Sequence, residues 1–274
     1  MQFTILQSVY KNDKPEYLNQ CLESIKNNTL QPTKIVLVKD GEISDELNSC
    51  INSWSEKLPI QVVGYEKNQG LAYALNYGLQ FVETELVARM DSDDICYPNR
   101  FEKQVKFFTE NPLVEICGTG LLEFYLYSDN RRHEKNRFYP ECVDKTSHSL
   151  YKGTPLGHPT LMIKTDLLKK YQYSENTSMN EDIDLWFRFI KDGHTIHNIQ
   201  EPLLYFRITD STFKRRSIKK AWNEFKIYLK NLIEMFGFSS RLIFPIARFF
   251  TRFLPYSINR KLYFSEIRTK ILKK

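Results

Sequence analysis

The sequence predicts an α/β fold: a parallel sheet with helices over both faces. Three observations predict it. Short apolar runs alternate with segments of helical apolar spacing through the first ninety residues. The connections between them are short, as in sheets built from strand–helix–strand units. Polar residues gather where three of the runs end, at Ser8 to Lys11, Asp40-Gly41 and Asp91 to Asp94. Ligands bind beyond the carboxyl ends of strands in such sheets, so that convergence is also the first functional clue.

Taken in order, Phe3–Val9 is the first strand, and Leu18, Cys21, Leu22 and Ile25 recur at helical period after Pro15. Lys34–Val38 is a second strand, Leu47, Ile51 and Trp54 mark a helix, and Ile60–Val63 is a third strand. Leu71–Phe81 restores helical spacing and Leu86–Met90 is a fourth strand. The pattern then changes. Pro98 opens a helix through Phe108, a good use of proline in a first turn. Val114–Phe124 reads as a strand, Tyr127–Arg137 as a polar loop and Thr160–Lys164 as a short strand beneath His158-Pro159. Asn180 is placed to cap a helix over Glu181–Lys191, and Thr195–Ile199 and Leu203–Ile208 read as two late strands. The second half therefore adds a mixed extension to the same sheet. The final sixty residues read as helical, interrupted at Gly237, Pro245 and Pro255.

The chain has 274 residues, 42% hydrophobic and 26% charged, with ten Gly and eleven Pro, which excludes disordered, collagen-like and repeat classes. The apolar stretch Leu242–Leu254 is interrupted by Arg248 and Arg252 and is too short to span a bilayer. Met1–Tyr10 reads as a strand, with no basic region of a secretory signal. Cys21, Cys50, Cys96, Cys117 and Cys142 are odd in number and lack a CxxC pair, so neither disulfides nor zinc are expected and a reducing cytoplasm is. The net charge of +6 hides a division. Residues 214–274 hold 16 of the 39 Lys/Arg but three of the 33 Asp/Glu, a balance of +13 against −7 for residues 1–213. The expected organisation is a catalytic domain over 1–213 and a basic, amphipathic helical extension over 214–274.

Met90-Asp91-Ser92-Asp93-Asp94 sets three carboxylates in four residues after an apolar strand. Their repulsion is relieved by a hard divalent ion, which would also neutralise a diphosphate leaving group; an acidic cap is the plainer reading. Glu181-Asp182 sits at a helix start, where carboxylates are favoured by the dipole and where one can serve as a general base. Trp186 reads as core before sugar platform. Asn68-Gln69-Gly70-Leu71 leads into a helix whose N-terminus suits phosphate, but it is neither a GxGxxG fingerprint nor a P-loop. His158, before Pro159, is open between a hydrogen-bonded structural role and one near a ligand. His133, His148, His194 and His197 show no metal-ligand pairing.

Together these pieces resemble the family 2 glycosyltransferases of the GT-A fold, with bacterial amylovoran and O-antigen biosynthesis enzymes nearest. The matching pieces are Ser8 to Asn12, Val38 to Gly41, Asn68 through Gly78, Arg89 to Asp94, Pro98 to Phe101 with Gln104, His158-Pro159 and Asn180 to Asp182, in family order across about residues 3–210. The resemblance implies a Rossmann-like nucleotide-sugar-binding sheet and an inverting transfer of a hexose, galactose first, from a UDP-sugar. Ser8, Tyr10 and Asp40 would face uracil and ribose, and Asn68 and Gly70 would line the nucleotide side. Asp91 would lie near the ribose and, with Asp93, at Mn2+ or Mg2+, with Asp94 supporting. Arg100 would lie near the acidic loop or make an exposed helix-face ion pair. Asp182 would be the base, with Glu181 competing, and His158 would lie near donor or acceptor. The family's late metal-binding histidine is missing from Tyr205-Phe206-Arg207-Ile208-Thr209-Asp210. Asp210, water or Arg207 at the diphosphate would have to compensate.

The implied acceptor is a saccharide on polyprenyl diphosphate at the cytoplasmic face of the plasma membrane. Transfer directly onto polyprenyl phosphate is the second reading, and an inactive binding fold the third. The basic tail interleaves Trp222, Phe225, Phe249, Phe250 and Phe253 with Lys and Arg. That pattern suits an anionic membrane surface, or else helices packed on the domain with charges to solvent. Nucleic acid explains the charge but none of the motifs.

Overall fold

The computed structural model describes residues 1–126, 132–176, 180–209, 218–251 and 253. In chain order these form β1 (Phe3–Val9), α1 (Pro15–Lys26), β2 (Lys34–Asp40), α2 (Asp45–Ser55), β3 (Ile60–Tyr65), α3 (Leu71–Leu79), β4 (Leu86–Arg89) and β5 (Ile95–Cys96). Then follow α4 (Arg100–Glu110), β6 (Ile116–Leu126), β7 (Arg132–Arg137), β8 (Cys142–Val143), α5 (Ser149–Lys152), β9 (Met162–Lys164), α6 (Thr165–Tyr171) and α7 (Glu181–Lys191). The long strand β10 (Ile196–Ile208) leads to α8 (Ile218–Phe236) and α9 (Ile243–Thr251).

One mixed sheet runs β3-β2-β1-β4-β9-β6-β10-β5, with β7 on β6 and β8 on β10. The β3-β2-β1-β4 half is parallel, and β9 joins it antiparallel to the second half. Side-chain alternation divides the core between the two faces. Ile5, Ile35 and Leu37 pack with Leu18, Leu22 and Phe101 on one side. Leu6, Val36 and Val38 pack with Ala74, Leu79 and Trp186 on the other. Gly78 lets α3 lie flat on that second face, since a Cβ there would stand 2.5 Å from Val38 Cγ2 and 2.6 Å from Leu6 Cδ1.

The structure differs from the sequence reading at four places. Residues 132–137 are not loop but β7, polar on both sides because it pairs with β6 at the margin of the sheet; residues 127–131 lie outside the described set. The two late strands are one, β10, whose register shifts on either side of Pro202 interrupt the apolar pattern. Asn180 does not cap α7 with its side chain; its Nδ2 donates to the Lys220 carbonyl at 3.2 Å instead. Pro245 does not break α9 but lies in its first turn, where no intrahelical N–H is needed, while Gly237 at φ +65° follows α8 directly. Pro255 lies outside the described residues.

The basic extension is not detached from the body. Tyr228 and Leu232 of α8 are buried in the same core as Phe187 of α7, and the Tyr228 and Phe187 rings meet edge-on at 5.2 Å. Among the described residues no helix is long and apolar enough to cross a membrane.

Candidate active site

The acidic loop hangs between two strands that the sheet holds apart. β4 ends at Arg89, level with Leu6 of β1, and β5 pairs with β10 through Cys96 and Leu204. Residues 90–94 must bridge them, and the tight path gathers their carboxylates. One oxygen each from Asp91, Asp93 and Asp94 lies within 4.8 Å of the others. Asp94 is fully buried. Its Oδ1 accepts from the Arg207 backbone N–H at 2.9 Å, while its Oδ2 is buried with no hydrogen-bond partner among the described residues. Burial, then the charges of Asp93 and Asp91, push the Asp94 carboxyl well above the usual range. An all-carboxylate oxygen set with one orphaned oxygen fits a hard divalent cation.

Three contacts hold this loop. Arg89 makes an ion pair with Asp91; it is only 4% exposed, and its Nε and Nη1 have no hydrogen-bond partner among the described residues. Arg207 Nε donates to the Asp93 carbonyl at 2.8 Å and Nη2 to Gln20 Oε1 at 2.5 Å, with the guanidinium 4.1 Å over the Tyr17 ring. Asp13 Oδ2 accepts from Ser92 Oγ at 2.9 Å and from the Tyr10 N–H at 3.2 Å, tying the end of β1 to the loop. Burial chiefly, with Asp93 and Asp91 adding, pushes Asp13 up to about 7.

At the end of β2, Asp40 is 5% exposed. Its carboxylate accepts from Tyr65 Oη at 2.9 Å, Asn68 Nδ2 at 2.8 Å, the Gln69 N–H at 2.7 Å and the Gly70 N–H at 3.1 Å. Asp40 thus organises the turn before α3, and its oxygens and the Asn68 amide are turned on one another. Gly70 there has φ +92°. Gly41, at φ +84°, stands where a Cβ would be 2.6 Å from the Asn68 nitrogen, so only glycine lets the two turns close up. Ser8 and Tyr10 are half-buried at the neighbouring end of β1.

Glu181 and Asp182 open α7. Glu181 is buried at 8% exposure, whereas Asp182 is partly exposed. Burial, then Asp182, pushes Glu181 up to about 6. Burial also raises Asp182, opposed by the positive charges of Lys220 and Arg89. Arg89 therefore touches the metal-type loop and acts electrostatically on the carboxylate pair as well. His158 Nε2 is 2.9 Å from Tyr173 Oη, and its ring meets Trp186 at 6.0 Å. Burial, with Arg89 adding, holds its imidazole well below the ordinary pKa, so it is neutral. Tyr173 exchanges two backbone hydrogen bonds of 2.8 Å with the Asn76 side chain on α3, joining that helix to His158.

The structure brings Ser8, Tyr10, Asp91, Asp93, Glu181, Asp182, Asp40, Asn68 and Gly70 to the carboxyl ends of the parallel strands and the start of α7. Arg100 does not join them. It is fully buried, with Nη2 donating to the Arg89 carbonyl at 2.8 Å and Nε to Gln104 Oε1 at 3.1 Å. The exposed helix-face ion pair is corrected, since α4 packs this face into the core; Arg100 meets the acidic loop from below, through the Arg89 carbonyl that leads into it. Trp186 is fully buried core, not a sugar platform. His158 lies beneath the site, against Tyr173. Arg207 is engaged by the acidic loop and Tyr17, and Asp210 lies outside the described residues. Sequence reasoning missed Asp13, Tyr173 and Lys220. It assigned no role to Arg89, although an arginine two residues before an acidic cluster is a signal that could have been read.

The chain matches the family described as "Glycosyl transferase family 2" over residues 6–172. It is 34% identical over 264 residues to the amylovoran biosynthesis glycosyltransferase AmsE of Erwinia amylovora, covering 95% of this chain and 97% of that protein. It is 35% identical over 272 residues to the UDP-Gal:alpha-D-GlcNAc-diphosphoundecaprenol beta-1,3-galactosyltransferase of Escherichia coli, covering 97% of each. The fold is similar to that of S. aureus TarS 1-349 in complex with UDP, at TM-score 0.64 and 20% identity, covering 87% of this chain and 73% of that one. It is also similar to the mannosyltransferase PcManGT from Pyrobaculum calidifontis in complex with GDP-Man and Mn2+, at TM-score 0.62 and 15% identity, covering 99% and 83%. These two structures show a shared GT-A-type architecture.

Proposed function

The chain belongs to glycosyl transferase family 2, and from that premise we propose that it transfers a hexose from a UDP-sugar to a lipid-diphosphate-linked saccharide. The transfer inverts the anomeric centre and serves the assembly of a surface polysaccharide at the cytoplasmic face of the plasma membrane. Galactose is the preferred sugar, supported by the donor named for the Escherichia coli relative.

One observation carries the reading: Arg89 pairs with Asp91 while its charge also bears on Glu181 and Asp182. The acidic loop and the start of α7 therefore lie within the electrostatic reach of one buried arginine. Asp93 and Asp91, with Asp94 supporting, would hold Mn2+ or Mg2+, which when bound supplies positive charge against the diphosphate; a neighbour in fold was solved with Mn2+. The ends of β1 and β2 and the turn pinned by Asp40 receive the nucleotide. Asp182, the more exposed of the pair, accepts the proton of the acceptor hydroxyl. The acceptor oxygen bonds the anomeric carbon from the face opposite UDP as the bond to the diphosphate oxygen breaks. No covalent sugar–enzyme intermediate is needed, the single-displacement logic of inverting glycosidases.

The test is UDP release by the purified chain with a panel of UDP-hexoses, Mn2+ and a GlcNAc- or GalNAc-diphosphate-lipid. Release that needs one donor and the acceptor together is expected. Release independent of the acceptor, or none with any pair, would overturn this substrate assignment. Asp93→Ala should abolish the release; turnover at the wild-type rate would remove the metal assignment.

A further inference from the structure

We propose that the face formed by α8 and α9 is a docking surface for an anionic phospholipid membrane. The side of these helices that turns inward is satisfied by the domain. Tyr228 and Leu232 enter the core. Arg248 of α9 bonds Glu224 at 3.2 Å and stacks 4.5 Å over the Tyr228 ring. The outward side is apolar. Ile243, Ile246, Phe250 and Phe253 recur at i, i+3, i+7 and i+10, one stripe at helical period, and are 63%, 39%, 64% and 54% exposed. Trp222, 45% exposed, extends the stripe onto α8, where its ring lies 5.5 Å from Phe249. Single exposed apolar residues are ordinary on a soluble surface; a contiguous aromatic stripe marks an interaction site.

Charge selects the occupant. Exposed Lys226 sits 5.5 Å over the Trp222 ring, and exposed Lys230 follows one turn later with its ammonium 4.0 Å from Glu234. The acids of these helices are occupied: Glu224 by Arg248 and Glu234 by Lys191 at 2.8 Å. The segment from residue 214 carries a balance of +13. A second copy of the chain would bring that same charge against itself across a two-fold interface. An anionic bilayer accepts both the aromatic stripe and the lysines, whose stems lie along apolar surface while the ammonium groups reach lipid phosphates. Since no described helix can span a membrane, the surface would lie on the bilayer.

Vesicle binding tests this on the full chain without sugar donor or acceptor, so its outcome is independent of the transfer reading. Vesicles of phosphatidylcholine with and without phosphatidylglycerol are compared by co-sedimentation and tryptophan emission. Trp54 and Trp186 are buried, at 7% and 0%, so a change in emission reports on Trp222. Sedimentation with phosphatidylglycerol vesicles only, a blue shift absent from Trp222→Phe, and loss of both in high salt are expected. Lys226→Ala should weaken partitioning about fivefold and Phe250→Ser about tenfold. Both positions are exposed, so an unchanged melting temperature confirms the fold. The proposal is overturned by sedimentation without a Trp222 shift, or by no sedimentation at all. It is equally overturned if Trp222 emission is already blue in the free protein. Self-association that Phe250→Ser abolishes, without vesicle binding, would assign the face to a second copy.

Discussion

The backbone N–H of Arg207 donates to Asp94 Oδ1 at 2.9 Å, joining the last strand of the sheet to the acidic loop across 113 residues. The Arg207 side chain continues the same contact, on the Asp93 carbonyl and Gln20. An arginine of this strand thus grips the loop that carries the carboxylates.

Arg207→Lys keeps a positive charge and the backbone N–H but loses the planar fork that reaches two acceptors. Affinity for Mn2+, followed by calorimetry, should fall about tenfold, as for other groups that orient metal ligands. Unchanged affinity would mean that the backbone contact alone positions Asp94.

Asp182→Asn and Glu181→Gln separate the two candidate bases. Asp182→Asn should lower kcat by about 10²–10⁴-fold with UDP affinity retained, and Glu181→Gln by less than about tenfold. The reverse order would make Glu181 the base. Because burial raises the Asp182 carboxyl, the acid limb of the pH–rate profile should lie above the ordinary carboxylate range.

Asp13 gives a pH-dependent stability of defined sign. Its carboxyl titrates at about 7 in the folded chain against 3.8 unfolded, so between those values the folded state holds the proton that the unfolded state has lost. Stability from this group is greatest below pH 3.8 and declines as pH rises through 7. Asp13→Asn preserves an oxygen for Ser92 and Tyr10 and has no such titration. In EDTA the variant should match wild type near pH 4 and exceed it above pH 7, by about 4 kcal/mol. A constant difference across that range, measured by urea unfolding, would show that Asp13 is ionised throughout.

Arg100→Met tests whether Arg100 is a brace or a ligand group. It removes a buried guanidinium bonded to the Arg89 carbonyl and Gln104 and leaves both acceptors unsatisfied. Stability should fall by on the order of 3 kcal/mol while UDP affinity of the folded fraction is kept. A large loss of UDP affinity at unchanged stability would return Arg100 to the cleft.

The contrast between Asp91 and Arg100 shows how far residue order reaches. The acidic triplet after an apolar run could be read as a site because its chemistry is local: three adjacent charges need a counterion wherever the chain goes. Arg100 sits in an equally recognisable motif, yet its role depends on which side of α4 faces the sheet, and burial excluded the exposed ion pair. Asp40 and Asn68 were legible as neighbours of one cleft, but not as partners of each other. The same holds for the single strand β10, whose bulge at Pro202 hides its continuity from any reading of apolar period.

The order of apolar runs, the helical spacings, the charge division at the extension and the ordered set of motifs are properties of neighbouring residues, and they determined the α/β class and the family from sequence alone. Tertiary structure alone decided that Asp13, Arg89, Tyr173 and Lys220 surround the site, that His158 is a neutral buried partner of Tyr173, and that the extension buries one face and exposes the other. Those outcomes rest on contacts between residues far apart in the chain, and on desolvation, which exists only once the surrounding elements have packed.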